Sequence, residues 1–447
     1  MDKKNKNIER EVLEQLTRES RASLRMNKIM LNIYQTERLR EILFFAKSKS
    51  RWYGEKLKNV EIDKITTENM SQYVPITNKK EFTENWDAFC TDAKLSKNQI
   101  DVFLKEINKS GNREEWNLYK GKYHVISSSG SSGRPGIYVY TKEEWLRQCA
   151  QYSRFVSSNF DKLRIANLTV KSLLFASPRC SKTIMQGRRD YDLDEEYFRD
   201  PDTINQRLTE LNPEVLITLP SILERLIKEK EQGNLDINPS FIKVSAEPLN
   251  KHLKENTIRI FDNPVINNYF AGSEGFSAFT CKADNQRMHL SEDYCTYETI
   301  GSKLTITNLW LKTTPLIRYQ LDDKVEIKDE GRCESCGCSF RTIMEPQGRA
   351  SEKFIYENNK IVTALEMVDK MNYYPCISEY QIQQTKKGII INLAGDNSTD
   401  DNRIKQSMMQ ILKQKKISEA TVEIFHVDHI ERSGSGKLKQ FIKLDEL

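Results

Sequence analysis

The chain has 447 residues, 38% hydrophobic and 30% charged, with 69 basic against 64 acidic side chains for a net charge of +5. That length exceeds what a single core grows to and predicts about two or three folding units. The near balance of charge, without lysine blocks interleaved with aromatics, argues against a nucleic-acid partner. The amino terminus, MDKKNKNIER, is charged and precedes no apolar run, and no apolar stretch of about 18 residues occurs, so no membrane span is expected and a cytoplasmic protein is the default.

Residues 7 to 48 are charged and helix-prone, with Leu39, Ile42, Leu43 and Phe45 at helical spacing, which predicts a helical arm over about 7–60 packed on the main body. Tyr123-His124-Val125-Ile126 reads as a short strand, a Ser/Gly loop follows, and Ile137-Tyr138-Val139-Tyr140 reads as a second strand. Thr141 and Glu144 form a capping box opening a helix through Trp145 and Leu146. Glu214-Val215-Leu216-Ile217-Thr218 predicts a strand, and Pro220 starts a helix carrying Leu223, Leu226 and Ile227. This alternation indicates α/β layering. After Gly348 the pattern predicts a strand near Phe354, a helix from Ala364 to Met371, strands at Tyr380–Gln384 and Gly388–Leu393, a helix from Arg403 to Gln414 and a strand at Thr421–His426. The fold class is therefore multidomain α/β: a large N-terminal domain of layered sheets and helices, residues 1–347, and a small C-terminal α+β domain, residues 348–447.

The loop between the first two strands reads Ser128-Ser129-Gly130-Ser131-Ser132-Gly133-Arg134-Pro135. Glycines admit the positive φ values with which successive backbone N–H groups converge on an anion, and the serine hydroxyls add donors. An isolated Ser/Gly run is more often a flexible linker. Here the run lies between two strands and ends on a positive charge and a rigid turn, which favours phosphate binding. It is not a Walker A loop, and neither is Gly436-Lys437, which has Glu431 and Leu438 where that motif needs Gly and Ser or Thr.

Four further blocks follow in order. They are Asn268-Tyr269-Phe270-Ala271-Gly272-Ser273-Glu274-Gly275, then Thr307-Asn308-Leu309 with Pro315-Leu316-Ile317-Arg318-Tyr319-Gln320-Leu321-Asp322-Asp323, then Gly348-Arg349-Ala350-Ser351-Glu352-Lys353, and last Ser433-Gly434-Ser435-Gly436-Lys437-Leu438-Lys439. Together with the Ser/Gly loop they resemble the adenylate-forming superfamily of acyl-CoA synthetases, and within it phenylacetate–CoA ligase-like and coenzyme F390 synthetase-like proteins. Pro75-Ile76-Thr77-Asn78-Lys79, Pro220-Ser221 and Ser245-Ala246-Glu247-Pro248-Leu249 are weaker matches in the gaps. Arg134 replaces the family's lysine, and Asp322 replaces a glycine, which should alter that turn.

The resemblance implies ATP and Mg²⁺ as cofactors and a residue-by-residue division of labour. Ser128, Ser129, Gly130, Ser131, Ser132, Gly133 and Arg134 would hold the departing phosphates. Ala246, Glu247, Pro248 and Phe270 would surround the nucleotide, with Phe270 on adenine, and Ser273 would meet a phosphate. Glu274 would help to hold magnesium, which prefers carboxylate and phosphate oxygens. Asp323 would accept both ribose hydroxyls. Arg318 and Lys437 complete the catalytic set with Glu274, Lys437 reaching the α-phosphate and the attacking carboxylate. Arg349 would contact the nucleotide at a hinge, about which the small C-terminal domain would be mobile.

Of nine cysteines, Cys90, Cys149, Cys180 and Cys376 stand alone and read as buried thiols, as does Cys295, while Cys333, Cys336 and Cys338 cluster. Cys281 and His289 lie upstream on what should be neighbouring strands. Clustering in a large chain points to a metal before disulfides. Any four of these five would make a closed tetrahedral structural zinc site, preferably Cys281, His289, Cys336 and Cys338, with Cys333 competing. The alternative is a set of reduced thiols. Some phenylacetate–CoA ligase-like proteins are similar here and carry such a zinc.

The expected chemistry is in-line attack of a carboxylate oxygen on the α-phosphorus of ATP, expelling pyrophosphate. It needs positioning and charge neutralisation rather than a side-chain nucleophile. The substrate expected from the resemblance is a small, aromatic carboxylic acid. The acceptor is CoA by family frequency; Phe354–Lys360 lacks the glycine that lines the family's pantetheine path, so an amine, a carrier protein or nucleotidyl transfer to a hydroxyl stay open. A homodimer is compatible with all of these.

Overall fold

The computed structural model describes residues 3–110, 118–128, 136–154, 163–170, 188–193, 197, 200–247, 249, 251–280, 287–344, 353–371, 377–395, 400–431 and 438–444. The chain divides into two compact units, one of residues 1–165, 174–189 and 267–345, the other of residues 166–173, 190–266 and 346–447.

In the first unit the helical arm is two long helices, Lys3–Ala22 and Lys28–Lys49, followed by the short helix Arg51–Lys56. Between the long helices Met26 is extended and the Asn27 side chain accepts from Met30 N at 2.9 Å, starting the second helix with a proper cap. Leu39, Ile42 and Leu43 of that helix are buried, and Phe45 is half-buried. The first helix packs on Lys142–Ser153. The arm is also tied down by polar contacts, because Ser23 Oγ donates at 2.6 Å to Asp293, whose other oxygen pairs with buried Arg154 at 3.0 Å.

Strands Tyr123–Ser127 and Ile137–Thr141 form the expected antiparallel hairpin, in register from Tyr123↔Thr141 to Ser127↔Ile137. The capping box at Thr141 and Glu144 is formed. The Glu144 carboxylate does more than cap: it accepts from Lys312 N at 2.7 Å and Thr313 N at 2.9 Å, anchoring the loop before the PLIRY segment. A four-stranded sheet orders Thr77–Asn78, Tyr319–Lys324, Lys303–Asn308 and Cys295–Ile300. Asp322 and Asp323 therefore lie in a strand rather than a turn, and exposed Asp322 pairs with Lys303 at 3.0 Å on the neighbouring strand. Ser277–Thr280 pairs with both Arg287–Leu290 and the end of Val265–Ala271.

In the second unit Val215–Thr218 pairs in parallel with Phe241–Ser245. Helices Pro220–Glu231, opened by Pro220 at its first turn, and Lys251–Ile260 cover them, burying Leu219, Ile222, Leu223 and Leu226 against Ile242 and Val244. Residues 354–441 close on a core of their own, in which Ile382, Ile389 and Ile391 pack against Ile404, Met408 and Leu412. Their sheet orders Thr421–Val427, Gly388–Gly395, Ile377–Gln384 and Phe441–Ile442, with helices Ala364–Met371 and Asp401–Gln414. Both helices and the strands Ile377–Gln384, Gly388–Gly395 and Thr421–Val427 were expected to within a few residues, whereas Phe441–Ile442 was not. The expected division at residue 348 differs from the division by compactness, which groups 346–447 with 190–266. No helix among the described residues is long and apolar enough to cross a membrane.

Candidate active site

Glu274 sits on a tight turn between Val265–Ala271 and Ser277–Thr280, closed by Gly275 N donating to Gly272 O at 3.0 Å. Gly275 has φ +81°, a conformation glycine adopts without cost. Gly272 is required for space: a Cβ there would lie 2.4 Å from Glu274 Oε2 and 2.3 Å from Phe276 Cε1.

Three side chains outside the turn hold it. Tyr138 donates its hydroxyl to Glu274 Oε1 at 2.8 Å, Tyr140 donates to Ser273 O at 2.6 Å, and Asn308 Nδ2 donates to Glu274 O at 3.1 Å. Tyr138 and Tyr140 alternate along the strand that follows the Ser/Gly loop, and two-residue periodicity puts them on one face. That spacing was readable in the sequence, but the target of the two hydroxyls was not. Burial pushes the Glu274 carboxyl above the usual carboxylate range; its own backbone N–H, the hydrogen bond from Tyr138 and the Lys79 charge oppose the shift, and Asp323 adds to it.

Magnesium is compatible with this turn. A carboxylate is the donor type that ion takes, and the missing side chain at Gly272 is what lets Oε2 lie where it does, beside the Phe276 ring.

Arg318 leads into strand Tyr319–Lys324. Its guanidinium is buried and forks onto Glu298, Nε to Oε2 and Nη2 to Oε1, both at 2.9 Å, while Nη1 donates to the carbonyls of Val74 and Ser71. Its backbone has φ +45°. In this structure the group joins strands Cys295–Ile300 and Tyr319–Lys324 to the segment before Thr77, and its donors are largely spent there.

Ser128 closes the neck of the Ser/Gly loop, its N donating to Gly136 O at 2.9 Å and its Oγ accepting from Gly136 N at 2.8 Å. Phe270 is half-buried and meets Phe276 edge-on at 5.2 Å. Ser273 is half-buried on the Glu274 turn, and Asp323 is half-buried on its strand. In the second unit Ala246 holds φ +74° at an exposed position, and Glu247 accepts from Ser221 N at 3.0 Å, capping the helix that Pro220 opens. Ser129, Gly130, Ser131, Ser132, Gly133, Arg134, Pro248, Arg349 and Lys437 lie outside the described residues, as does Cys281. Two cavities of the first unit, of 470 and 670 Å³, are both walled by Arg147 and Trp310 and include none of the motif residues.

A second cluster in the first unit gathers His289, Cys333 and Cys336, whose ligand atoms all lie within 4.8 Å of one another. His289 Nδ1 bonds the Phe340 carbonyl at 3.0 Å, which aims Nε2 at Cys336 Sγ, 3.4 Å away. Burial alone would lower the His289 pKa, but hydrogen bonds to Cys336 and Phe340 lift it to about 10. Burial likewise works to raise the Cys333 pKa, yet hydrogen bonds around the thiol, Ser335 first, draw it down to about 6. Cys338 is buried and its sulfur accepts from Phe340 N at 3.5 Å. Cys90, Cys149 and Cys295 are buried free thiols, whereas Cys180 and Cys376 lie outside the described residues. The donor set and spacing suit zinc, which takes sulfur and imidazole ligands tetrahedrally.

A 2-hydroxyisobutyryl-CoA ligase in the postadenylation state aligns with TM-score 0.69 and 14% identity over 95% of this chain and 92% of that one. The fold is that of the adenylate-forming ligases. The same ligase with 2-HIB-AMP and CoA in its thioesterification state aligns with TM-score 0.54 over 94% of this chain and 91% of that one, again at 14% identity. An anthranilate CoA ligase in complex with anthranoyl-AMP shares the adenylate-forming fold at TM-score 0.51 and 10% identity, over 70% of this chain and 65% of that one. By sequence the chain is 22% identical over 426 residues to Protein CapK of Staphylococcus aureus, covering 90% of this chain and 87% of that protein. No family model matches.

Proposed function

We propose that this chain is an ATP-dependent ligase that activates a small carboxylic acid as its acyl-adenylate and passes the acyl group to an acceptor, CoA before an amine or a carrier protein, with nucleotidyl transfer to a hydroxyl as the alternative. The observation that carries the reading is the buried Glu274 carboxylate on its glycine-bounded turn, fixed from the strand that leaves the Ser/Gly loop, in a fold shared with two CoA ligases in complex with acyl-AMP.

In this reading Ser128–Arg134 cradle the leaving phosphates and Asp323 takes the ribose. Phe270, Ala246, Glu247, Pro248 and Arg349 line the nucleotide, and Ser273 meets a phosphate. Glu274 would hold magnesium, which when bound neutralises phosphate charge. Lys437 orients the attacking carboxylate at the α-phosphorus, so that its attack coincides with loss of pyrophosphate. Arg318 serves the site indirectly, by fixing the strand that carries Asp323. An aromatic acid fits the resemblance better than a fatty acid, and a cytoplasmic location fits the absence of a span among the described residues.

Acid-dependent exchange of labelled pyrophosphate into ATP, measured over a panel of aryl and short aliphatic acids, tests the first half-reaction. Exchange with at least one acid, lost in Lys437→Ala, is expected; absence of exchange with every acid counts against adenylation. Mass spectrometry of the product formed with CoA, glycine or a carrier protein then identifies the acceptor.

Zinc at His289, Cys333 and Cys336, completed by Cys281 or Cys338, is proposed as structural. Metal analysis should find about one zinc per chain, falling severalfold in Cys336→Ser with a lower melting temperature.

A further inference from the structure

Tyr138 is buried and belongs to none of the motif blocks, yet its hydroxyl lies where two of them meet. It donates to Glu274 Oε1 at 2.8 Å and stands 3.2 Å from the Tyr319 hydroxyl. A phenol has one proton, so with that proton on Glu274 it is Tyr319 that donates to Tyr138. The same oxygen sits over Gly136, the residue that closes the neck of the Ser/Gly loop with Ser128: a Cβ on Gly136 would come within 2.6 Å of it. The ring is held separately, stacked on Phe82 with centroids 5.5 Å apart and planes 12° apart. Ring packing and hydroxyl placement are thus independent, and removing the oxygen leaves the stack intact.

We propose that Tyr138 is a positioning residue for Glu274. Its hydroxyl, set by Tyr319 and by the gap at Gly136, fixes Oε1 of the carboxylate and leaves Oε2, over Gly272, as the oxygen offered to a divalent cation. The phosphate-loop neck and the cation carboxylate are thereby held in mutual register through one side chain on the strand joining them. The inference rests on the reading of Glu274 as the magnesium residue. Carboxylates that bind metals are commonly oriented by such outer hydrogen bonds, whose loss weakens metal affinity by roughly 10- to 100-fold.

The test is Tyr138→Phe. Mn²⁺ binding in the presence of ATP, followed by electron paramagnetic resonance, should weaken roughly tenfold. The Mg²⁺ concentration giving half-maximal pyrophosphate exchange should rise in parallel, with kcat at saturating Mg²⁺ changing by about twofold at most. A purely packing role predicts no change in the Mn²⁺ constant, and that result overturns the proposal. Glu274→Gln separates the two levels of argument. If it leaves Mn²⁺·ATP binding at the wild-type value, the underlying reading of Glu274 falls. If it abolishes binding while Tyr138→Phe matches wild type, only the Tyr138 proposal falls. Should Tyr138→Phe fail to fold, Tyr319→Phe carries the test, since it removes the hydroxyl that donates to Tyr138. A two- to threefold weaker Mn²⁺ constant then supports the proposal, and an unchanged constant overturns it.

Discussion

Glu274 and Arg318 are two buried charges carried by neighbouring motif blocks of the same unit, and their surroundings treat them in opposite ways. Arg318 is met by both oxygens of Glu298 and by two backbone carbonyls, so its charge is answered inside the fold. Glu274 has no cation within ion-pair distance among the described residues; its own backbone N–H, the Tyr138 phenol and the Lys79 charge favour its ionised form, and burial outweighs them. A charge already paired stabilises architecture, whereas a buried charge left with only neutral donors is held in readiness for a partner that is not protein. Sequence motifs do not distinguish the two cases, because both residues sit in blocks that resemble the same family.

The sharpest way to break this contrast is to remove each charge and ask what is lost. Glu274→Gln should lower kcat/KM for pyrophosphate exchange by roughly 100-fold or more while leaving the melting temperature near wild type or raising it, since an unpaired buried charge is gone. Arg318→Met should do the reverse at first order. It strands Glu298 and should cost roughly 3 kcal/mol in a denaturant titration, with activity falling only as the folded fraction does. If Arg318→Met loses exchange while keeping full stability, Arg318 belongs with the reacting groups and the contrast fails.

A smaller effect is expected from Gly275→Ala. It asks an alanine to hold φ +81° with its Cβ 2.5 Å from Asn308 Nδ2, the group that donates to Glu274 O. The strain should cost about 1 to 3 kcal/mol and should raise the Mg²⁺ requirement of exchange, because the turn that presents Glu274 shifts.

The mildest test concerns a third buried titratable group, His124, on the strand that leads into the Ser/Gly loop. Burial first, and the Lys142 charge second, hold its pKa down to about 3. The unfolded chain binds the proton near the ordinary histidine value of about 6.5, so the stability this group contributes is present above that pH and is lost progressively as pH falls toward 3. Thermal melts of His124→Phe, which keeps the ring stacked on Trp145, should show a flatter decline between pH 6.5 and 4 than wild type. Equal slopes would mean that His124 titrates normally in the folded state.

Much of the architecture was legible because it is local. Alternation marks Tyr123–Ser127 and Ile137–Thr141, the Thr141/Glu144 box starts its helix where expected, and the elements from Lys353 to Val427 follow the apolar periods of their own segments. The helical arm was legible as helix but not as separate helices, since the breaks depend on Asn27 and Ser50 capping the helices that follow them. The site was only partly legible. The order of the motif blocks names Glu274, Asp323 and Arg318 as charges of interest, and composition alone collects His289 with the cysteines.

By itself the amino-acid sequence determined the kinds of elements, the family the motif order resembles, and which residue types could bind phosphate, magnesium or zinc, all of which depend on spacing along one strand, helix or loop. Only the tertiary structure decided which partners each charge meets. That Tyr138 reaches Glu274 across 136 positions, and that Arg318 turns to Glu298 and Val74, are matters of which side chains share a buried space. In a medium of low dielectric the nearest partner decides whether a charge is spent or kept available, and nearness across such separations is set by the fold.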